Sequence, residues 1–316
     1  MKKIFFILCC LWSATAFGQA RFTVAPDGSG NFRSVQAALD AVPNNNQRSV
    51  LIYIKNGIYR EPIVIDARKN FITLLGEDKE KTVLSFNNHA GTKLSNGDTL
   101  NTWTCASVMV YGNDLHAENL TFENNAGFTA GQAVALRVEG NRSSFKNCRM
   151  VGFQDVLFLS GSGTKHFFKD CYIEGTTDFI FGPSTAVFTN CHIHSKKNSH
   201  VTAASTPREI PFGFVFFDCR LTGDTSLHNV SLGRPWQPYA SVTYIRCDIG
   251  KHIIPAGWNN WKNPTNEATA RYAEYKSYGE GGDPAARVKW SRQLSDEEIR
   301  GYTIEKILGD WDIYKK

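Results

Sequence analysis

From residue 49 onward the chain reads as short runs in which apolar side chains alternate with polar ones, broken every few positions by Gly, Asn or Asp. The runs include Ser49 to Ile54, Ile63 to Ile65, Phe71 to Leu75, Ser107 to Tyr111, Leu115 to Phe122 and Val134 to Val138. A period of two places one face of each run in a core and the other outside, which is the pattern of short strands. Helical periodicity is nearly absent, and this excludes a doubly wound α/β fold, where a helix separates successive strands. Two stretches depart from the strand pattern. Ser34 to Val42 sets Val35, Ala38, Leu39 and Val42 on one helical face behind a Ser cap. Ser295 through Leu308 opens with the Ser-x-x-Glu capping box of Ser295 and Glu298 and reads as a second helix.

A longer period overlies the short one. Five cysteines recur in one local setting: Phe145-Lys-Asn-Cys148, Phe168-Lys-Asp-Cys171, Phe188-Thr-Asn-Cys191, Phe217-Asp-Cys219 and Ile245-Arg-Cys247, separated by 23, 20, 28 and 28 residues. A repeat of this length marks a solenoid. Each copy supplies an aromatic or aliphatic residue, a turn-favouring residue, a Cys and then an aliphatic, as a strand rounding a corner requires. Stacked as coils, they give a single all-β parallel β-helix with an internal Cys ladder beside a Phe ladder. The first helix plugs the exposed strand edges of the first coil, and the second packs the tail back on the coils or covers the far end. One residue per coil at equivalent positions is the mark of small buried side chains, so the thiols are expected free. No Cys-x-x-Cys or His-x-x-x-His spacing suggests a metal site, and nothing points to a cofactor.

The amino terminus has its own pattern. Lys2 and Lys3 precede an apolar core, Ile4 to Trp12, followed by small or apolar residues to Gly18. That is a secretory signal peptide, with cleavage expected near Gly18, and its core is far shorter than the roughly 20 residues of a membrane span. Cys9 and Cys10 lie inside the apolar core, which argues against lipidation. The remainder, residues 19–316, is expected to form one exported domain, periplasmic or secreted, monomeric, with no membrane contact after cleavage. The net charge of +5 is modest. Lys and Arg are scattered, without the dense stripe of a nucleic-acid binder.

Reactive side chains interrupt the strand-like sequence at four places: Gln132-Ala-Val-Ala-Leu136, Gly152-Phe-Gln-Asp-Val-Leu-Phe158, Asp178-Phe-Ile-Phe-Gly182 and Leu232-Gly-Arg-Pro-Trp236. Gln132 and Gln154 are 22 residues apart and Asp155 and Asp178 are 23 apart, each about one coil. One coil is about 4.8 Å in space, so Gln132, Gln154, Asp155 and Asp178 can converge on one exterior face. Polar residues in a solenoid also fill turns or form internal hydrogen-bonded ladders, and spacing alone leaves both readings open.

These four segments, together with Gly57-Ile-Tyr59-Arg-Glu61 and Gly257-Trp258, occur in the order that marks the pectin methylesterase family, which the chain resembles from about Phe22 to its end. Val156 and Phe158 stand where the family usually has Thr and Tyr, and Pro183 and Ser184 suggest a bacterial-type branch. The resemblance implies a right-handed parallel β-helix that hydrolyses methyl esters of galacturonate in pectin. It implies Asp178 as carboxylate nucleophile, Arg234 holding it, Asp155 as general acid and then base, and Gln132 and Gln154 as donors to the developing oxyanion. Two carboxyls so near cannot easily both ionise, so Asp178, paired with Arg234, is expected to stay charged while the pKa of Asp155 rises. Phe181, Trp236 and Trp258 are expected to line the groove and stack on sugar rings, with Thr102 as a further contact. Tyr59 and Glu61 are read as stabilising an early coil, and the dispersed His residues as surface or turn residues.

Polysaccharide lyases and polygalacturonases share the architecture, but the clustered calcium-binding acids of the first and the Asp trio of the second are not found. A β-helix esterase or thioesterase with another ester, or a non-catalytic carbohydrate-binding β-helix, remain the alternatives.

Overall fold

The computed structural model describes residues 20–313. The stretch read as a signal peptide, with Cys9 and Cys10, lies outside the described residues. From Ala20 onward the alternating runs wind into coils, and most coils give one short strand to each of three parallel sheets of eleven, eight and seven strands. The result is the parallel β-helix expected. Because neighbours lie one coil apart, equivalent residues stack in register: Phe145 pairs with Phe168, Phe168 with Phe188, Phe188 with Phe216, and Phe216 with Tyr244. Their rings lie nearly parallel at centroid separations of 4.8, 4.7, 4.5 and 4.5 Å. The aromatic ladder therefore runs through the core, but two of its expected members differ. Phe217 and Ile245 point outward, and the residues just before them, Phe216 and Tyr244, fill the inner positions. The reason is a constant interval of three residues between the inner aromatic and the Cys of each coil, which Phe217 and Ile245 do not keep.

The Cys ladder is present as free thiols: Cys148, Cys171, Cys191, Cys219 and Cys247 are buried and unbridged. Each Sγ donates to a carbonyl of the preceding coil, for example Cys171 to Phe145 O at 3.5 Å and Cys219 to Phe188 O at 3.5 Å. Just before each Cys the backbone turns a corner through one left-handed residue: Asn147, Asp170, Asn190, Asp218 and Arg246, with φ between 49° and 55°. Short polar side chains tolerate this conformation better than branched ones, which explains the Asn and Asp of the repeat. The same device at Asn119, φ 57°, splits the run Leu115 to Phe122 into two strands, His116–Glu118 and Thr121–Asn124.

The first helix, Val35–Asp40, forms as expected, with Ser34 Oγ accepting from Ala37 N at 3.2 Å. Its other free amides are met from the first full coil, because the Glu61 carboxylate accepts from Val35 N at 2.8 Å and Gln36 N at 3.3 Å. Tyr59 donates its hydroxyl hydrogen to Lys55 O at 2.8 Å. Glu61 thus holds the amino-terminal plug, while Tyr59 ties its coil to Lys55 and to Val24 O of the first strand. The carboxy-terminal stretch is not one helix. The capping box forms, with Ser295 N donating to Glu298 Oε2 at 2.8 Å, but only a 3₁₀ turn follows, Glu298–Gly301, before a separate helix, Ile304–Leu308. Gly301 is a weak helix former, and Thr303 caps the new helix by accepting from Lys306 N. The tail buries Ile307 and Leu308 against Phe167, Val187, Val215 and Phe217 on the outer face of the eleven-stranded sheet.

Candidate active site

Gln132, Gln154, Asp155 and Asp178 all sit in the connections that carry the chain from the eight-stranded to the seven-stranded sheet. Backbone bonds hold these connections one above another. Gln132 and Gln154 form a parallel bridge. Ala133 N donates to Gln154 O at 3.1 Å, Asp155 N to Thr177 O at 3.0 Å, and Asp178 N to His200 O at 2.8 Å. Two residues further on, Leu157 pairs with Ile180 in the seven-stranded sheet. Asp155 and Asp178 are therefore equivalent positions of adjacent coils, about 4.8 Å apart along the helix axis. Both are in the left-handed region, at φ 64° and 50°. This is the same left-handed turn that Asn and Asp make at the corners before the cysteines.

Arg234 closes the group from two coils on, directly after the strand Ser231–Gly233. Its Nε donates to Asp178 Oδ1 at 2.9 Å and its Nη2 to Oδ2 at 2.6 Å, a two-pronged pair that fixes both oxygens. The guanidinium lies 3.6 Å from the ring centroid of Trp261, so its free face is covered by an aromatic. Behind the pair, His200 Nδ1 lies 2.7 Å from Ser231 Oγ. Burial and the Arg234 charge push that imidazole down to about 4.

Both carboxyls are buried, and burial is the main influence on each. Asp155 is pushed up to about 8, first by burial and then by the charge of Asp178, with the Arg234 charge and the Gln154 amide acting the other way. Asp178 is also raised by burial, but the hydrogen bonds and charge of Arg234 oppose the rise. Asp178 thus loses its proton first, and the resulting charge keeps Asp155 protonated. The carboxamide of Gln132 makes no hydrogen bond among the described residues and is free to donate outward.

The aromatic wall differs from the one expected. Trp236 packs at the site, 6.1 Å from Phe181 and 6.4 Å from Phe158 between ring centroids. Phe181 is buried and stacked on Phe158 at 4.3 Å, so it supports the floor beneath Trp236 and does not present a face. Trp258 is 2% exposed and lies in the main core, 4.5 Å from Tyr272. It does not line the groove, because Gly257 turns the chain inward there at φ 72° and the ring closes the end of the aromatic ladder. Thr102 is half-buried in a turn whose next residue, Trp103, is 47% exposed and lies 6.2 Å from Trp236. Trp103 and Trp261 are the aromatics that the sequence reading passed over. Each lay within three residues of a residue singled out, Thr102 and Trp258, in Asn- and Thr-rich turns where a large aromatic is itself a signal. Among the described residues no group of three His, Cys, Asp or Glu is placed to hold a metal ion.

The family model described as Pectinesterase matches residues 21–310. Pectinesterase 31 of Arabidopsis thaliana is 44% identical over 280 residues, covering 87% of this chain and 88% of its own length. A putative pectinesterase, number 11 of the same plant, is 39% identical over 91% of this chain and 79% of its own. The pectin methylesterase from carrot superposes with a TM-score of 0.84 at 32% identity, over 93% of this chain and 94% of that one. The one from Erwinia chrysanthemi superposes with a TM-score of 0.81 at 30% identity, over 92% and 97%. The two Arabidopsis relatives and the carrot enzyme are plant proteins, so the bacterial-type branch expected from Pro183 and Ser184 finds no support in them. The chain belongs to the pectinesterase family, sharing its right-handed parallel β-helix, and is a carboxylic ester hydrolase that removes methyl esters from pectin.

Proposed function

We propose that Asp178 is the nucleophile of this hydrolysis and Asp155 its acid and base. The observation that carries the assignment is the two-pronged bond of Arg234 to Asp178, with a second carboxyl one coil away that keeps its proton to about pH 8. Asp178 attacks the ester carbonyl carbon, and the carbonyl oxygen takes up negative charge. The carboxamides of Gln132 and Gln154 donate to that oxygen, a contribution worth roughly 10²–10³ in turnover for one such donor. When the tetrahedral state collapses, the bond to methoxy oxygen breaks and Asp155 gives its proton to the leaving methanol. An acyl-enzyme anhydride on Asp178 remains. Asp155, now ionised, takes a proton from water as the water adds to the acyl carbon, and collapse releases Asp178 and a free galacturonate.

Trp236 and Trp103 offer ring faces to the sugar, with Thr102 beside them, while Phe181 and Trp258 support the site from within. The amino-terminal pattern supports export of the chain, cleaved near Gly18, to where pectin is met. Methanol release from methylated polygalacturonate by the wild type and by Asp178→Ala tests the assignment. Turnover is expected in the first and essentially none in the second, and a variant with more than about a tenth of wild-type turnover would remove Asp178 from the role.

A further inference from the structure

The two carboxyls of the site are held by different means. Asp178 is fixed through its own oxygens by Arg234. No such fork grips Asp155 among the described residues, and the side chain that bonds to it is the neighbouring amide of Gln154. The aim of Asp155 is therefore set by the backbone that leads into it, Gly152-Phe153-Gln154. Phe153 O accepts from Thr176 N at 2.8 Å and Asp155 N donates to Thr177 O at 3.0 Å, which ties this connection to the next coil. Gly152 is buried, and a buried carbonyl needs a partner. Its oxygen accepts from a side chain, Lys196 Nζ, at 2.9 Å.

Lys196 reaches that carbonyl from two coils away. It follows the strand His192–Ser195, which pairs with Tyr172–Gly175, which pairs in turn with Arg149–Val151. Its own amide donates to Gly175 O at 2.8 Å, so the side chain starts from a fixed point. From there it crosses the intervening coil and sets its ammonium against three partners: Gly152 O, Glu174 Oε1 at 3.0 Å, and the face of Phe153, whose centroid lies 4.2 Å from Nζ. Glu174 Oε2 accepts in turn from Tyr172 Oη at 2.8 Å. The charges that act on Asp155 are those of Asp178 and Arg234, so the influence of Lys196 passes through the backbone it holds. The connection that carries Asp178 is tied differently, by Thr177 Oγ1 donating to Ser199 Oγ at 2.9 Å.

We propose that Lys196 is a positioning residue for the reaction, holding Gly152 and Phe153 so that Gln154 and Asp155 face one ester group together, with Glu174 and Tyr172 fixing the ammonium. Without the brace, Gly152 O loses its partner and the connection relaxes toward water. Gln154 and Asp155 then no longer share one geometry, and a small misplacement of groups needed in the transition state is costly in rate. The inference rests on the roles assigned above to Gln154 and Asp155.

The test is the steady-state kinetics of methanol release by the wild type, Lys196→Met, Lys196→Arg and Glu174→Gln, each expressed per folded enzyme, together with Lys196→Met in a Gln154→Ala background. Lys196→Met keeps the aliphatic stem and removes the ammonium. Its kcat is expected to fall roughly ten- to a hundredfold, with KM within about twofold of the wild type. Lys196→Arg can still bond both acceptors and is expected to recover most of the loss, and Glu174→Gln to lose less than Lys196→Met. In the Gln154→Ala background Lys196→Met is expected to cost less than in the wild type, because one of the two groups it aims is already gone. A lysine that only stabilises the fold would lower the melting temperature and leave kcat per folded enzyme unchanged. That result, a loss confined to KM, or losses that simply multiply with Gln154→Ala would overturn the proposal. Gln154→Ala and Asp155→Asn, measured alongside, separate the two readings. If they lose turnover and Lys196→Met keeps it, the brace alone falls; if they keep turnover, the catalytic assignment falls and the brace with it.

Discussion

Asp178 and Arg234 are 56 positions apart in the chain, yet they meet through two hydrogen bonds of 2.9 and 2.6 Å, with the guanidinium backed by Trp261. An ammonium could keep the charge but not the fork. Arg234→Lys is therefore expected to lower kcat/KM about a hundredfold, the scale of one charge-assisted bond lost at a buried carboxylate. The pKa of Asp178 should rise further, moving the acid limb of the pH profile upward. Initial rates of methanol release from pH 4 to 9 check both effects.

As the proposed acid, Asp155 holds its proton until methanol leaves, and burial and the Asp178 charge push its pKa up to about 8. Activity of the wild type is expected to decline as pH rises through about 8. Asp155→Asn can neither donate nor accept the proton, and a loss of roughly 10²–10⁴ in kcat is expected at every pH. A base limb that persists unchanged in the residual activity of Asp155→Asn would assign it to another group.

The same shift has a consequence for stability. A carboxyl whose pKa is raised from 3.8 to about 8 on folding contributes stability that is full below pH 3.8 and is lost as pH rises through about 8. Asp155→Asn removes this dependence. Its melting temperature is expected to exceed that of the wild type at pH 8 to 9 and to approach it near pH 4. Thermal scans across that range decide the point.

The two carboxamides are expected to separate in their pH behaviour. Gln132→Ala and Gln154→Ala should each cost roughly 10²–10³ in kcat. Gln154 also acts to lower the pKa of Asp155, so only its loss should move the base limb upward. Identical profiles for the two variants would place both amides on the substrate alone.

Within the core, Phe188 is sandwiched between Phe168 at 4.7 Å and Phe216 at 4.5 Å. Phe188→Ala opens a cavity that rigid coils on both sides cannot fill, and a loss of about 3–5 kcal/mol is expected from denaturant unfolding.

What could be read from the sequence was whatever repeats. Cys148, Cys171 and Cys191 gave the coil length, and that length allowed Asp155 to lie over Asp178 and Gln132 beside Gln154, while the family resemblance supplied the roles expected of them. The corner residues were legible because Asn and Asp are chosen by backbone conformation. Where the interval slips by one residue, as at Phe217 and Ile245, inside and outside exchange, since successive side chains of a strand face opposite ways. The wall of the groove was legible only in part, because it is built by turns that obey no period. Trp258 and Trp261 are three residues apart, but one is core and the other covers Arg234, a difference decided by how the turn after Gly257 folds. The tail helix failed for a local reason, the glycine at 301.

The sulfur column has a use of its own. Five thiols at successive levels, none bridged and all shielded from solvent, can meet an alkylating reagent only when their own layer parts from its neighbours. Labelling over time, mapped cysteine by cysteine with mass spectrometry, would turn the molecule into a record of its own unzipping. It would show whether the spiral opens from the plugged end, from the tail, or as one unit.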